Sequence, residues 1–142
     1  MGRSPQTMVL ICLGFFAAAI IPLYWILWFL APDLIRNFSP GAPEYEAYVT
    51  FEQAFLLADA WLALVALCSS IGLIRKRPWG LLGSLLAGSS AVYLGLMDLL
   101  YDLQHSVFVP LTASGATELV IVILSLSLGV TTILLSWNVL RS

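Results

Sequence analysis

Asp98, Asp102 and His105 are ionisable side chains spaced four and three residues apart in the stretch YLGLMDLLYDLQH, residues 93–105. The stretch closes a long apolar run in a chain of which only 10% of the residues are charged. At about 100° per residue, the three side chains fall within about 60° of one another on a helix. Carboxyl and imidazole groups that share a face can transfer protons or bind a cation.

Composition indicates that a membrane bundle must position these groups. Of the 142 residues, 61% are hydrophobic, and the mean hydropathy is +0.98. Soluble domains are nearer half apolar and a quarter charged, so we expect lipid to surround this chain. The net charge of −2, with no basic stripe, argues against a nucleic-acid partner. The sequence requires no cofactor, although it leaves a metal ion open.

Four segments are long and apolar enough to cross the hydrocarbon, which takes about 20 residues. They run over about 8–30, 51–74, 79–101 and 118–140. The sequence therefore predicts one domain over 1–142, an all-α integral membrane protein that forms a four-helix transmembrane bundle. The first segment far exceeds the apolar core of a signal peptide, which is roughly 7–15 residues. We expect it to be retained as a helix.

Local signals add detail to these spans. Pro22 predicts a bend in the first span. The sequence TFEQ at 50–53 fits a capping box, which places Thr50 at the start of the second span. Cys12 and Cys68 both fall within apolar runs, so we interpret them as small buried apolar residues.

The basic residues predict the orientation, because cytoplasmic loops of membrane proteins carry an excess of Lys and Arg. Arg75, Lys76 and Arg77 lie between the second and third spans, while Arg3 and Arg141 flank the bundle. We therefore expect both termini in the cytoplasm (N-in, C-in) and a plasma or inner membrane location. The outer loop, 31–50, contains three prolines and is either a lid along the interface or a linker.

The ionisable groups of the last three spans are predicted to share a depth. At 1.5 Å per residue, Asp59 lies roughly 22 Å from the inner boundary, and Asp98 and Glu118 lie roughly 28 Å from it. Below Asp98, small residues recur at the four-residue spacing typical of faces where membrane helices touch: Gly83, Ala87, Ala91 and Gly95. The sequence thus predicts an outward-facing carboxylate and histidine pocket between spans two, three and four.

Our preferred functional interpretation is that this pocket binds a lipophilic or cationic small ligand. Acid–base chemistry of the isomerase, hydratase or cyclase kind would use Asp59 as the buried acid and Asp98 or His105 as the base. The predicted ligand-binding residues are Glu52, Asp102, Glu118, Tyr101 and Gln104. A divalent metal ion is a second interpretation, with the candidate ligands Asp98, Asp102, His105 and Glu118.

The alternative is a non-catalytic accessory or assembly subunit of a larger membrane complex, or a homodimer, whose polar groups contact a partner helix. In that case the face of Asp59 would be exposed to lipid. If these acids are instead purely structural, Asp59 would be hydrogen-bonded to a neighbouring helix. Glu52 and Glu118 would be acids favoured by the dipole at a helix start. Transport is a further interpretation, although the first span carries no charged residue.

Overall fold

A computed structural model describes residues 4–36 and 43–141, which contain helices and no strand. The helices are α1 (Pro5–Leu30), α2 (Pro32–Ile35), α3 (Tyr45–Ala54), α4 (Leu56–Ile74), α5 (Pro78–Gln104) and α6 (Ala113–Arg141). Among the described residues, α1, α3 with α4, α5 and α6 are four spans long and apolar enough to cross a membrane. The prediction of an all-helical chain with four such spans is therefore confirmed.

An apolar cluster at one end of the bundle establishes the helix directions. It consists of Leu10 and Ile11 of α1 and Leu73 of α4, with contacts from Leu81, Leu135 and Val139. These residues come from the beginnings of α1 and α5 and from the ends of α4 and α6. Spans that are adjacent in sequence (α1 and α4, α4 and α5, α5 and α6) are therefore antiparallel. We call this end, where Arg75, Lys76, Arg77 and Arg141 lie, the basic end, and the opposite end the carboxylate end.

The tight link between α4 and α5 follows from a capping geometry. Lys76 has a φ of 53°, and its N–H donates to the carbonyl of Leu73 at 3.2 Å. The next N–H, of Arg77, donates to the carbonyl of Gly72 at 2.8 Å. This pair of bonds is the Schellman arrangement that ends a helix. Pro78 then starts α5 at the position where its missing N–H costs no helical bond.

The predicted small-residue face of α5 packs inside the bundle. A Cβ atom on Gly83 would lie 3.0 Å from Cβ of Ser69 on α4, and one on Gly95 would lie 3.1 Å from Leu126 on α6. Ala87 is buried in the core cluster that α4 and α5 share. The prediction that this stripe is a helix-contact face is confirmed.

Aromatic residues pack together at the carboxylate end of α1. Trp25, Trp28 and Tyr48 form a buried cluster that joins α1 to α3. The guanidinium of Arg36 lies 4.8 Å from the centre of a Trp28 ring and donates to the hydroxyl of Tyr45 at 2.7 Å. Charge over an aromatic face and a hydrogen bond together hold the chain after α2 against α3.

All four spans begin earlier in the structure than predicted, and the start of the second differs most. Helix α3 begins at Tyr45, so Thr50 lies inside a helix and does not cap one. The second span is interrupted at Phe55, where α3 ends and α4 begins. Pro22 lies within the continuous helix α1.

Cys12 and Cys68 are both free and exposed, so the prediction that they are buried is wrong. An apolar residue in a membrane helix can face lipid as readily as the core, and sequence hydropathy does not distinguish the two. Arg3, which supported the predicted orientation, lies outside the described residues, as does the part of the predicted outer loop over 37–42.

Candidate functional site

A cavity of about 330 Å³ lies inside the bundle, towards the carboxylate end. Helix α1, the junction of α3 and α4, α5 and α6 all contribute to its wall. Its volume is near the lower end of the range for small-molecule pockets, about 300–1,000 Å³. Most of the lining is apolar, and its polar side chains are Tyr24, Glu52, Asp59, Asp98, Glu118, Ser125 and Thr132.

Three carboxyl groups converge at one side of this cavity. Glu52 comes from α3, Asp98 from α5 and Glu118 from α6, and one oxygen of each lies within 4.8 Å of the other two. Glu118 is only 6% exposed. Three like charges cannot stay this close in a poorly solvated site without compensation, so the group needs bound protons or a cation. We call these residues the carboxylate cluster.

Helix α3 holds Glu52 in the cluster by contacts at both of its sides. The hydroxyl of Tyr24 on α1 donates to Oε2 of Glu52 at 3.3 Å. The ring of Phe51 stacks on that of Tyr101 near the end of α5, with centroids 3.7 Å apart and an interplanar angle of 10°. A one-residue interruption at Phe55 separates α3 from α4, but its φ of −77° and ψ of −18° remain helical.

Asp59 lines the same cavity from α4 but is not part of the carboxylate cluster. Its Oδ2 accepts a hydrogen bond of 2.9 Å from Nε1 of Trp25 on α1. Both predictions for this residue therefore have structural support: it is hydrogen-bonded to a neighbouring helix, and it faces the pocket. The bond fixes one carboxyl oxygen beside α1.

The other predicted residues of the stretch 93–105 do not line the cavity. Asp102 is buried, at 3% exposure, and its Oδ2 has no hydrogen-bond partner among the described residues. His105 is exposed at the end of α5, where its Nδ1 lies 2.9 Å from the carbonyl oxygen of Tyr101. Gln104 is exposed, and Tyr101 is stacked between Phe51 and His105.

The predicted metal-ligand set is therefore not brought together. Of Asp98, Asp102, His105 and Glu118, only the first and last meet, and Glu52 is their third partner in the described part of the chain. The predicted catalytic residues divide in the same way. Asp59 and Asp98 line the cavity, while His105 lies outside it.

Tyr24 and the rest of α1 are the part of the site that the sequence prediction missed. The pocket was predicted between spans two, three and four, whereas α1 supplies Leu13, Phe16, Ala17, Ile20, Ile21 and Tyr24 to the wall. Aromatic residues at the end of a span are also typical of a membrane-interface belt, which gives no reason to place them in a site. The hydroxyl of Tyr24 was the available signal, because a buried phenol needs a partner.

Comparison with protein-family models, with curated proteins and with solved structures gives no match. The fold and site place the chain in a general class, that of helical proteins with four candidate membrane spans and an internal cavity with carboxyl groups in its wall.

The bond between Trp25 and Asp59 gives a stability prediction. Trp25→Phe is expected to lower the free energy of unfolding by about 1–3 kcal/mol, because a partly buried acceptor loses its donor. Thermal unfolding in mild detergent measures the change. Trp61→Phe is the control, since Trp61 is 55% exposed. Combined with Asp59→Ala, Trp25→Phe should cost less than the sum of the two single changes, and strictly additive losses would contradict the bond.

Proposed function

We propose that this chain binds a lipophilic amine, meaning an apolar molecule with one positive charge, in the cavity that the four spans enclose. The observation that carries the proposal is the composition of the cavity wall: apolar side chains over most of it, and Glu52, Asp98 and Glu118 gathered at one side. The apolar body of the ligand would pack against the apolar side chains. Its protonated amine would neutralise charge on the three carboxyl groups.

The charge of the carboxylate cluster supports a cationic ligand over a neutral one. A hydrogen bond between charged groups contributes about 1.5–3 kcal/mol, and opposite charges attract more strongly in a poorly solvated cavity than in water. A neutral ligand of the same shape would gain no such contact between opposite charges. The proposal therefore predicts discrimination by charge between ligands of equal apolar area.

The apolar lining of the cavity favours an organic cation over a metal ion. Calcium takes 6–8 oxygen ligands, and carboxylates can bind it through one oxygen or both, so the three carboxyl groups of the cluster supply enough oxygens for either kind of cation. A metal ion, however, would leave the apolar side chains that make up most of the wall without a role.

For the orientation, we propose that the basic end faces the cytoplasm and the carboxylate end faces outward. Four of the six basic residues support it, namely Arg75, Lys76, Arg77 and Arg141. Arg36, by contrast, lies on the other side and is engaged with Trp28 and Tyr45. A plasma or inner membrane fits this proposal, because the excess of Lys and Arg at the basic end would then lie on its cytoplasmic side.

The decisive test compares dodecylamine with dodecanol, which has the same chain and no charge. Purified protein in lipid nanodiscs is titrated with a fluorinated form of each, and fluorine NMR separates bound ligand from ligand dissolved in the lipid. We expect a saturable bound signal for the amine, with at least about tenfold weaker binding of the alcohol.

Equal binding of the amine and the alcohol would contradict the charge recognition, and no bound signal for either would contradict the proposal as a whole. Calcium and zinc chlorides are added alone as controls. If either metal raised the melting temperature at equal ionic strength while the amine did not, the cluster would be a metal site. A partner chain that stays bound through purification, together with no response to the amine, would favour the accessory-subunit interpretation.

A further inference from the structure

The seam between α1 and α6 differs from the other helix contacts of the bundle. At the basic end the two helices meet in one apolar cluster, where Leu10 and Ile11 lie with Leu135 and Val139. The two clusters nearer the carboxylate end contain residues of α1 to α5, but none of α6 among the described residues. Helix α6 packs against α5 at this level, where a Cβ on Gly95 would lie 3.1 Å from Leu126, and neither of these clusters joins it to α1.

The cavity wall is exposed where these two helices face each other. Phe16 and Ile20 of α1 line the cavity and are 54% and 43% exposed. Leu124 of α6 also lines it and is 52% exposed. On the opposite wall, Leu62 of α4 and Leu94 of α5 are each only 8% exposed. The cavity is thus closed by α4 and α5 and open between α1 and α6.

Helix α3 contributes Glu52 to the wall at the carboxylate end of the cavity. This helix is held to α1 by the Tyr24–Glu52 hydrogen bond and by the packing of Tyr48 on Trp28, with ring centroids 5.8 Å apart. It is held to α5 by the stack of Phe51 on Tyr101. A path beside α3 would have to pass these contacts, whereas the lining residues of α1 and α6 named above are already exposed.

We infer that the ligand enters and leaves through the side of the bundle, between α1 and α6, directly from the hydrocarbon of the membrane. The opening lies within two of the segments that can span a membrane, so its exposed apolar side chains would face lipid. The inference rests on the proposed function and narrows the ligand class to a membrane-dissolved amphiphile. Its charged head would reach the carboxylate cluster while its chain lies between α1 and α6.

The test closes the opening with a covalent bridge. Phe16→Cys and Leu124→Cys are introduced together in a chain that also carries Cys12→Ala and Cys68→Ala. A bis-maleimide then links α1 to α6 in protein reconstituted in nanodiscs. Fluorine NMR saturation transfer measures the exchange of fluorinated dodecylamine between its bound and lipid-dissolved states, before and after linking. The same double variant treated with N-ethylmaleimide controls for modification without a bridge.

We expect the bridge to slow exchange by at least about tenfold relative to the N-ethylmaleimide control, as when a gating motion is blocked. Unchanged exchange in the bridged protein that still binds the amine would overturn the side entrance and leave the proposed function intact. Absence of amine binding to the unaltered protein would overturn both. Should the first variant fail to fold, Ile20→Cys with Ile121→Cys places the bridge one turn nearer the carboxylate cluster and is judged by the same outcomes.

Discussion

Asp98→Asn is expected to weaken the binding of dodecylamine by roughly tenfold to a hundredfold. The substitution keeps the side-chain shape and removes one charge from the carboxylate cluster, and a hydrogen bond between charged groups is worth about 1.5–3 kcal/mol. Binding of dodecanol should change much less, because the apolar wall is unaltered. Fluorine NMR titrations of both ligands in nanodiscs measure the two affinities. We expect the same pattern for Glu52→Gln and Glu118→Gln, since the three oxygens share one site.

Glu46→Gln is the matched control for this prediction. Glu46 lies on α3, the helix that carries Glu52, but it is exposed and does not line the cavity. Neutralising it removes one negative charge, as Asp98→Asn does, and removes it from the helix that Glu52→Gln alters, without touching the cluster. Amine affinity should therefore stay within about twofold of the unaltered protein. If Asp98→Asn lowered only the melting temperature and left the amine affinity intact, the acids would serve helix contact, as the accessory-subunit interpretation holds.

The depth of the carboxyl groups could be predicted because the rise of a helix is constant. Counting from the ends of the spans placed Asp98 and Glu118 at one level, and their oxygens do meet. The direction of Asp98 was also predictable from the small residues beneath it, since Gly95 and Gly83 do face neighbouring helices. These inferences needed only helix geometry and the rule that small residues mark close contacts.

How far the site extends along α5 could not be predicted in the same way. Asp102 is one turn, about 6 Å, beyond Asp98 along α5, and the cavity wall includes no residue of α5 beyond Asp98. His105 is the residue at which α5 terminates, so helical spacing no longer determines where its side chain points. Helix spacing shows which residues share a face, but it does not show where neighbouring helices stop covering that face.

The contribution of α1 depended on which helices are neighbours. Tyr24 meets Glu52 across 28 positions of sequence, and nothing in the local pattern of either segment specifies that pairing. The meeting of Glu52 with Asp98 and Glu118 likewise joins three helices that lie far apart in sequence. Tertiary packing, and not propensity, decided both.

Gly88→Leu is expected to cause a large loss of stability. Helices α5 and α6 are in close contact here: a Cβ on Gly88 would lie 2.9 Å from the carbonyl oxygen of Gly129 and 2.9 Å from Cγ1 of Ile133. Real Cβ atoms do not approach backbone so closely, so α6 must shift. Overpacking typically costs about 1–3 kcal/mol, and the loss should reach or exceed the top of that range. Thermal unfolding in mild detergent measures it.

Ser89→Leu provides the matched control, because Ser89 is the next residue of α5 and is exposed. The same side chain added there would contact lipid, so the melting temperature should barely change. Gly88→Leu should also weaken dodecylamine binding, since α6 carries Glu118 and its displacement would disperse the carboxylate cluster. If Gly88→Leu and Ser89→Leu had equal melting temperatures, the close contact of α5 with α6 would be wrong. The convergence of Asp98 with Glu118, which depends on that contact, would then lose its basis.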